Sequence, residues 1–138
     1  MTRARILLAD DHKEMRDRVE ELLAPEFDVV GVVGGGRELL TAESEIQPDV
    51  CVVDISMPII CGIEAANKLK VGGSKAKIIF MTVHEDPDFL QAALDTGALG
   101  YVVKSRLATD LCKAIRGALV GQLFVSASRR LGTDSEHS

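Results

Sequence analysis

The chain has 138 residues, of which 46% are hydrophobic and 27% are charged. This composition is typical of one globular domain, and it excludes an intrinsically disordered chain and a membrane-spanning protein. The net charge of −5 argues against binding of nucleic acid by this chain alone. We expect a cytoplasmic protein without a membrane partner, because no signal peptide precedes the first predicted strand.

The three cysteines indicate neither disulfides nor a zinc site. Cys51, Cys61 and Cys112 are odd in number and scattered, with no C-x-x-C spacing. We expect reduced thiols, with Cys51 in the core.

The first part of the chain predicts two strands and two helices. Arg5 to Ala9 is an apolar run that ends in two acidic residues, Asp10 and Asp11. Apolar residues at helical spacing then predict an amphipathic helix that ends near Pro25. Phe27 to Val33 is the second predicted strand, and a triple glycine leads from it into a second helix. The glycines lack the G-x-G-x-x-G order, so we interpret them as a βα loop and not as a dinucleotide site.

The third predicted strand is the most informative one. Val50 to Val53 shows no polar alternation, which is typical of a central parallel strand covered on both faces. Asp54 follows directly, and Pro58 cannot continue the ladder. Asp54 is therefore expected at the carboxyl edge of the sheet, where open α/β folds bind ligands. Taken alone, Asp54 could equally begin a turn.

Two further strands are predicted, and each is followed by a polar residue. Lys77 to Met81 precedes Thr82, and Gly100 to Val103 precedes Lys104. Helical patterns follow the third, fourth and fifth strands. The alternation of five strands with five helices predicts an α/β fold with a five-stranded parallel sheet and helices on both faces.

Parallel strands place their carboxyl ends at one edge, so the residues that end them are expected to converge in one crevice. Taken singly, each of these residues could be a helix cap, a turn residue or a solvated strand end. Their joint occurrence at four strand ends favours a functional site. The candidate residues are Asp10, Asp11, Asp54, Thr82 and Lys104.

The pattern resembles the receiver domain of bacterial two-component response regulators, over about residues 4 to 121. The resemblance rests on Leu8-Ala9-Asp10-Asp11-His12, Val53-Asp54-Ile55-Ser56-Met57-Pro58 with Gly62, Met81-Thr82 and Gly100-Tyr101-Val102-Val103-Lys104. The chain is most similar to receivers of the NarL/LuxR-type subfamily, whose members usually carry a C-terminal helix-turn-helix. The implied architecture is the flavodoxin-like receiver fold with strand order 2-1-3-4-5.

The resemblance implies that Asp54 accepts a phosphoryl group from a sensor histidine kinase or a phosphotransfer protein. Mg²⁺ would be bound by Asp11, Asp54 and the backbone carbonyl of Ser56, with Asp10 acting mainly through metal-bound water. The residue types suit this chemistry, because a hard cation relieves the repulsion among clustered carboxylates. An Asp is ionised at neutral pH, so it needs no general base.

The resemblance also implies roles for residues around the phosphoacceptor. Lys104 would pair with the phosphoryl oxygens, and Thr82 would hydrogen-bond one of them. Thr82 would be drawn toward the phosphoryl group while Tyr101 moves inward, which would alter the face formed by the fourth helix, the fifth strand and the fifth helix. Ser56 and His84 flank the site and are candidates for tuning the attack of water on the acyl phosphate.

We therefore expect a phosphorylation-controlled switch in a phosphorelay, and not a turnover enzyme, that acts on an output protein or output domain. A homodimer on phosphorylation is possible. Residues 122–138 are expected to be a tail without an output domain, because no DNA-reading helix fits there. The chain is then either a stand-alone receiver or a fragment of a DNA-binding transcription regulator.

Two other functional classes stay open on the sequence alone. One is a Mg²⁺-dependent phosphatase with an Asp nucleophile, of the haloacid-dehalogenase type, although position 56 is Ser and the D-x-D arrangement is missing. The other is a flavodoxin-like flavin or nucleotide binder. The loop after the first strand is acidic, which would repel a phosphate ligand.

Overall fold

The computed structural model describes residues 3–57, 59–83 and 86–126. Strands and helices alternate along this part of the chain. The strands are β1 (Arg5–Ala9), β2 (Asp28–Val33), β3 (Val50–Asp54), β4 (Lys77–Thr82), β5 (Gly100–Val103) and β6 (Phe124–Val125). The α-helices are α1 (Lys13–Leu23), α2 (Gly36–Ile46), α3 (Gly62–Val71), α4 (Pro87–Asp95) and α5 (Leu107–Leu119). A short 3-10 helix, Lys104–Arg106, joins β5 to α5 and is called the Lys104 turn below.

All strand pairs are parallel, in the order β2-β1-β3-β4-β5-β6. The predicted α/β class, the parallel arrangement and the order 2-1-3-4-5 are confirmed. At the carboxyl edge, Asp54 of β3 lies opposite Met81 of β4, and Thr82 lies opposite Val103 of β5. This register places Thr82 between the strand that ends in Asp54 and the strand that leads to Lys104.

The prediction of a five-stranded sheet is wrong by one strand, because β6 adds to the edge beside β5. The Phe124 amide donates to the Leu99 carbonyl at 2.9 Å, and the Ser126 amide donates to the Tyr101 carbonyl at 2.8 Å. A strand of two residues is too short to show a hydrophobic period. β6 lies beyond residue 121, where we predicted the receiver domain to end; that boundary stays a prediction. The last part of the expected tail, residues 127–138, lies outside the described residues.

The core consists of two apolar layers, one on each face of the sheet. Successive strand residues point to opposite faces, so Ile6 and Leu8 enter one layer while Leu7 enters the other. Helices α1 and α5 cover the first layer, and α2, α3 and α4 cover the second. Cys51 is fully buried in the second layer, as expected. Its burial, with a smaller effect from Glu43, raises the pKa of the thiol to about 12.

The longest helix in the described part of the chain is α5, with 13 residues. Among the described residues, no helix combines the length and apolar character that a membrane crossing requires.

A close backbone contact at Gly62 fixes α3 against the end of β3. The Gly62 amide donates to the Ile55 carbonyl at 2.8 Å. A Cβ atom at Gly62 would lie 2.4 Å from the Asp54 carbonyl oxygen and 2.9 Å from the Ile55 Cα. Both neighbours are backbone atoms of the segment that carries Asp54, so only glycine allows this approach.

We expect Gly62→Ala to lower the free energy of unfolding by about 1–3 kcal/mol, because the added methyl group must displace the backbone at Asp54. Gly72 is a matched control at the other end of α3. Its φ is −77°, and the nearest contact of an added Cβ would be 3.4 Å, so Gly72→Ala should have little effect. Urea denaturation of both variants measures the difference; equal losses would contradict the steric explanation.

Candidate functional site

The structure brings the residues that end the strands together at the carboxyl edge of the sheet. Asp10 follows β1, Asp54 ends β3, Thr82 ends β4 and Lys104 follows β5. One carboxylate oxygen from each of Asp10, Asp11 and Asp54 lies within 4.8 Å of the others. The predicted convergence of these side chains is therefore observed.

Asp54 is the most deeply placed acid of the site after Asp10, with 2% of its surface exposed. Its Oδ1 accepts a hydrogen bond from the Ser56 amide at 3.1 Å and lies 3.4 Å from Lys104 Nζ. Its Oδ2 is buried and has no hydrogen-bond partner among the described residues. Buried polar atoms are rarely left unpaired, so this oxygen is poised for a group from outside the chain.

The surroundings of Asp54 raise its pKa to about 6. Burial is the largest cause, and the neighbouring charge of Asp10 adds to it, while Lys104 and the Ser56 amide act in the opposite direction. The pKa still lies below neutral pH. Asp54 is therefore mainly ionised at pH 7, as expected, but its charged form is much less favoured than that of an exposed aspartate.

Lys104 is the cation that partly compensates this buried negative charge. Its Nζ lies 3.0 Å from Asp10 Oδ2 and 3.4 Å from Asp54 Oδ1, and only 10% of its side chain is exposed. Asp10 itself is fully buried. One ammonium group thus bridges two buried carboxylates, with Asp11 close by, and the three acids outnumber it.

Two residues near the site were missed by the analysis of the sequence. His12 Nδ1 lies 3.0 Å from Asp11 Oδ1, and the guanidinium of Arg16 donates to the Asp10 carbonyl oxygen at 2.9 Å. His12 was part of the motif but received no role. The positions of these two residues in the sequence indicate that they lie near the site, because His12 directly follows Asp11 and Arg16 lies one helical turn after His12.

The acids fit a divalent cation. The oxygens of Asp10, Asp11 and Asp54 are hard ligands at suitable separations, and the unpaired Oδ2 of Asp54 is a free ligand atom beside them. Ser56 lies two residues after Asp54 and is exposed, although Ile55 and Met57 on either side of it are buried. Its amide contacts Asp54, which keeps the loop backbone near the cluster.

Thr82 and Tyr101 are both buried, with 1% and 3% of their surfaces exposed. Thr82 ends β4 and lies next to Met81, the register partner of Asp54. Tyr101 lies opposite Phe80 and packs in the apolar layer covered by α3 and α4. The ring of Tyr101 therefore already occupies an inward position. His84 lies outside the described residues.

The raised pKa of Asp54 implies that the free energy of unfolding depends on pH. The folded protein binds a proton at Asp54 more tightly than the unfolded chain does, so ionisation of Asp54 opposes folding above about pH 6. We expect Asp54→Asn to raise the free energy of unfolding at pH 7 by about 1–3 kcal/mol without divalent cations. The gain should shrink as the pH falls through 6 and disappear near 4.

Urea denaturation in the presence of a chelator at pH 7 and at pH 4.5 measures this effect. Asp95→Asn is the matched control, because Asp95 is exposed and its hydrogen bond from Gln91 Nε2 can be kept by an asparagine. A loss of stability in Asp54→Asn at pH 7 would show that the Lys104 contact outweighs the burial of the charge.

Comparison with known proteins agrees with this geometry. The chain is 36% identical over 124 residues to the response regulator GacA of Pseudomonas viridiflava, an alignment that covers 88% of this chain and 58% of that protein. It is 33% identical over 125 residues to the nitrate/nitrite response regulator protein NarL of Escherichia coli, with 89% and 58% covered. The chain thus spans less than two thirds of the length of these curated relatives.

Solved structures show the same fold. A two-component response regulator of the LuxR family from Aurantimonas sp. matches with a TM-score of 0.87 and 30% identity, over 99% of this chain and 97% of that one. The isolated REC domain of RcsB from Salmonella enterica serovar Typhimurium, in the presence of phosphomimetic BeF3⁻, matches with a TM-score of 0.84 and 26% identity, over 96% and 98%. The family model of the response regulator receiver domain matches residues 6–116, so the chain belongs to the response regulator receiver family.

Proposed function

We propose that this chain is a phosphorylation-controlled switch in which Asp54 accepts the phosphoryl group. One observation carries the proposal: the buried carboxylate of Asp54 keeps Oδ2 without a partner among the described residues, while Lys104 lies beside its Oδ1 and the acids Asp10 and Asp11 are close by. Phosphoryl transfer requires a positioned nucleophile and neutralisation of the charge on the phosphoryl oxygens. The site offers both.

In the proposed reaction, a carboxylate oxygen of Asp54 attacks the phosphorus of a phosphohistidine on a histidine kinase or a phosphotransfer protein. The new O–P bond forms as the P–N bond breaks, and the bonding electron pair returns to the imidazole nitrogen. The product is an acyl phosphate on Asp54. No general base is needed, because a carboxyl group with a pKa of about 6 is mainly ionised at pH 7.

The acids Asp11 and Asp54 and the backbone carbonyl of Ser56 would hold Mg²⁺, and Asp10 would act through a bound water. When bound, Mg²⁺ neutralises negative charge on the phosphoryl oxygens. Lys104 supplies the second positive charge, as a compact ammonium group that is already desolvated beside Asp54. Its contact with Asp10 keeps it oriented toward the incoming group.

Thr82 and Tyr101 are proposed to convert phosphorylation into a change of the surface formed by α4, β5 and α5. Thr82 would hydrogen-bond a phosphoryl oxygen. Because the Tyr101 ring already lies inward, we propose that phosphorylation holds it there and depopulates outward positions. Ser56, exposed beside the site, and His84, on sequence grounds alone, are proposed to tune hydrolysis of the acyl phosphate.

The proposed partners are a histidine kinase or phosphotransfer protein, as the phosphoryl donor, and an output protein or output domain. The curated relatives extend beyond the matched segment, two of them are named transcriptional regulatory proteins, and one similar solved structure is a DNA-binding response regulator, so a DNA-binding output is part of this proposal. We also propose that the chain forms a homodimer on phosphorylation. An Asp-nucleophile phosphatase is less well supported, because residues 6–116 match the receiver family.

The first test is the intact mass of the protein after incubation with Mg²⁺ and acetyl phosphate. We expect one phosphoryl adduct on the wild type, none on Asp54→Asn and none when Mg²⁺ is chelated. Asp95→Asn, at an exposed acid outside the site, should keep the adduct. An adduct that persists in Asp54→Asn, or its absence from the wild type, would refute the assignment, and steady turnover of p-nitrophenyl phosphate would favour the phosphatase.

The second test uses the only tyrosine of a chain without tryptophan, so that its fluorescence reports Tyr101 alone. We expect beryllofluoride with Mg²⁺ to change this fluorescence in the wild type. Thr82→Ala should still accept the phosphoryl group from acetyl phosphate but lose most of the fluorescence change. Thr41→Ala, at an exposed position of α2, is the control. A full response in Thr82→Ala would exclude coupling through Thr82.

A further inference from the structure

A second buried carboxylate, Asp110, lies outside the phosphoacceptor site. It is in the first turn of α5, with 3% of its surface exposed. It accepts hydrogen bonds from Arg106 Nε at 2.9 Å, from Thr109 Oγ1 at 3.0 Å and from Ser126 Oγ at 2.7 Å. Burial raises the pKa of Asp110, but the hydrogen bonds from Arg106, Ser126 and Thr109 outweigh it and leave the pKa below its usual value.

These hydrogen bonds enclose the Lys104 turn from both ends. On one side, the Val103 amide donates to Ser126 Oγ at 3.1 Å, and the same hydroxyl donates to Asp110. On the other side, Arg106 contacts Asp110 directly. Val103 precedes Lys104, and Arg106 ends the turn. One carboxylate therefore holds both ends of the turn that presents Lys104 to Asp10 and Asp54.

The same network fixes Ser126, the residue that follows β6. The Ser126 amide donates to the Tyr101 carbonyl, and its hydroxyl is shared between Val103 and Asp110. Ser126 is 2% exposed, although it directly follows the edge strand β6. The edge strand β6 is thus tied to the Lys104 turn through Ser126.

We propose that Asp110 and Ser126 are positioning residues that form a latch between the Lys104 turn and the edge strand β6. The latch holds Lys104 at the distance that phosphoryl binding requires. A displacement of Lys104 toward a phosphoryl group strains the contacts through Val103 and Arg106, and this strain reaches Ser126. The coupling to phosphorylation rests on the proposed function, whereas the positioning of the turn does not.

Thermodynamic linkage between Asp54 and Ser126 is a second consequence of the latch. If binding of a phosphoryl group at Asp54 changes the stability of the Ser126 contacts, then a change at Ser126 alters phosphoryl binding by the same free energy. This route runs from the Lys104 turn through Asp110 and Ser126 to β6, whereas the other switch acts through the hydroxyl of Thr82 and the ring of Tyr101.

The test compares two buried hydroxyls, each of which accepts a hydrogen bond from a backbone amide and donates one to an oxygen atom. Ser126→Ala removes the latch hydroxyl, and Ser126→Thr restores it. Thr96→Val removes the control hydroxyl, which donates to the Ala93 carbonyl at 2.6 Å and accepts from the Ala98 amide at 3.2 Å. Thr96 lies before the amino end of β5, whereas Lys104 follows its carboxyl end. Loss of either hydroxyl should destabilise the fold, but only loss of the Ser126 hydroxyl removes a contact of the latch.

The measured quantities are the affinity for beryllofluoride with Mg²⁺, by Tyr101 fluorescence, and hydrogen exchange of the amides. We expect Ser126→Ala to bind beryllofluoride about 2- to 10-fold more weakly and to exchange faster at Val103 and in the Lys104 turn. Ser126→Thr should recover most of the affinity, and Thr96→Val should bind as the wild type does. In the wild type, beryllofluoride should change the exchange of the Ser126 amide.

Equal affinities for wild type and Ser126→Ala, or an equal loss in Thr96→Val, would overturn the latch. If Ser126→Ala does not fold, Arg106→Gln replaces it, since that side chain is 46% exposed; a smaller weakening in the same direction is expected. A wild type that binds no beryllofluoride would refute the proposed function instead. The positioning role would then be decided by exchange alone, and an unchanged Lys104 turn in Ser126→Ala would refute it.

Discussion

The incompletely compensated negative charge at the carboxyl edge of the sheet is the feature on which the rest of the site depends. Asp10 and Asp54 are buried, Asp11 lies beside them, and Lys104 is the ammonium group that contacts the two buried acids. Burial of charge costs free energy unless it is paired, and here the pairing is partial. The cost is visible in the raised pKa of Asp54 and in its unpaired Oδ2. We propose that a divalent cation relieves this cost, and that it also offsets the negative charge of a phosphoryl group on Asp54.

The parallel sheet makes such a cluster of charged side chains possible. Each acid or cation follows an apolar strand that is covered on both faces, so the strand ends are the nearest places where polar side chains can meet. The sheet register places Asp54 opposite Met81 and Thr82 opposite Val103, so Asp54, Thr82 and Lys104 come from neighbouring strand ends. Gly62 brings the start of α3 against the Asp54 backbone. The Asp110 and Ser126 network then fixes the turn that follows β5.

Patterns that depend on local residues predicted much of this arrangement. The apolar runs predicted the strands, and the family resemblance predicted their order. The convergence of Asp10, Asp54 and Lys104 was predicted because each of them lies at the end of a strand. β6 was not predicted because a strand of two residues shows no hydrophobic periodicity. Its pairing with β5 depends on the path of the chain after α5. The latch was missed because Ser126 and Asp110 are 16 positions apart and meet only in the folded chain. The pKa of Asp54 likewise depends on burial, which the sequence does not give.

The carbon chemical shift of the Asp54 carboxyl group, followed by NMR over pH with and without Mg²⁺, tests the central claim most directly. The account predicts an apparent pKa of about 6 in the metal-free protein and a clear fall of this pKa when Mg²⁺ saturates the site. Asp54→Asn identifies the resonance. A pKa near that of an exposed aspartate, unchanged by Mg²⁺, would contradict the claim that this buried charge is held ready for a cation and a phosphoryl group.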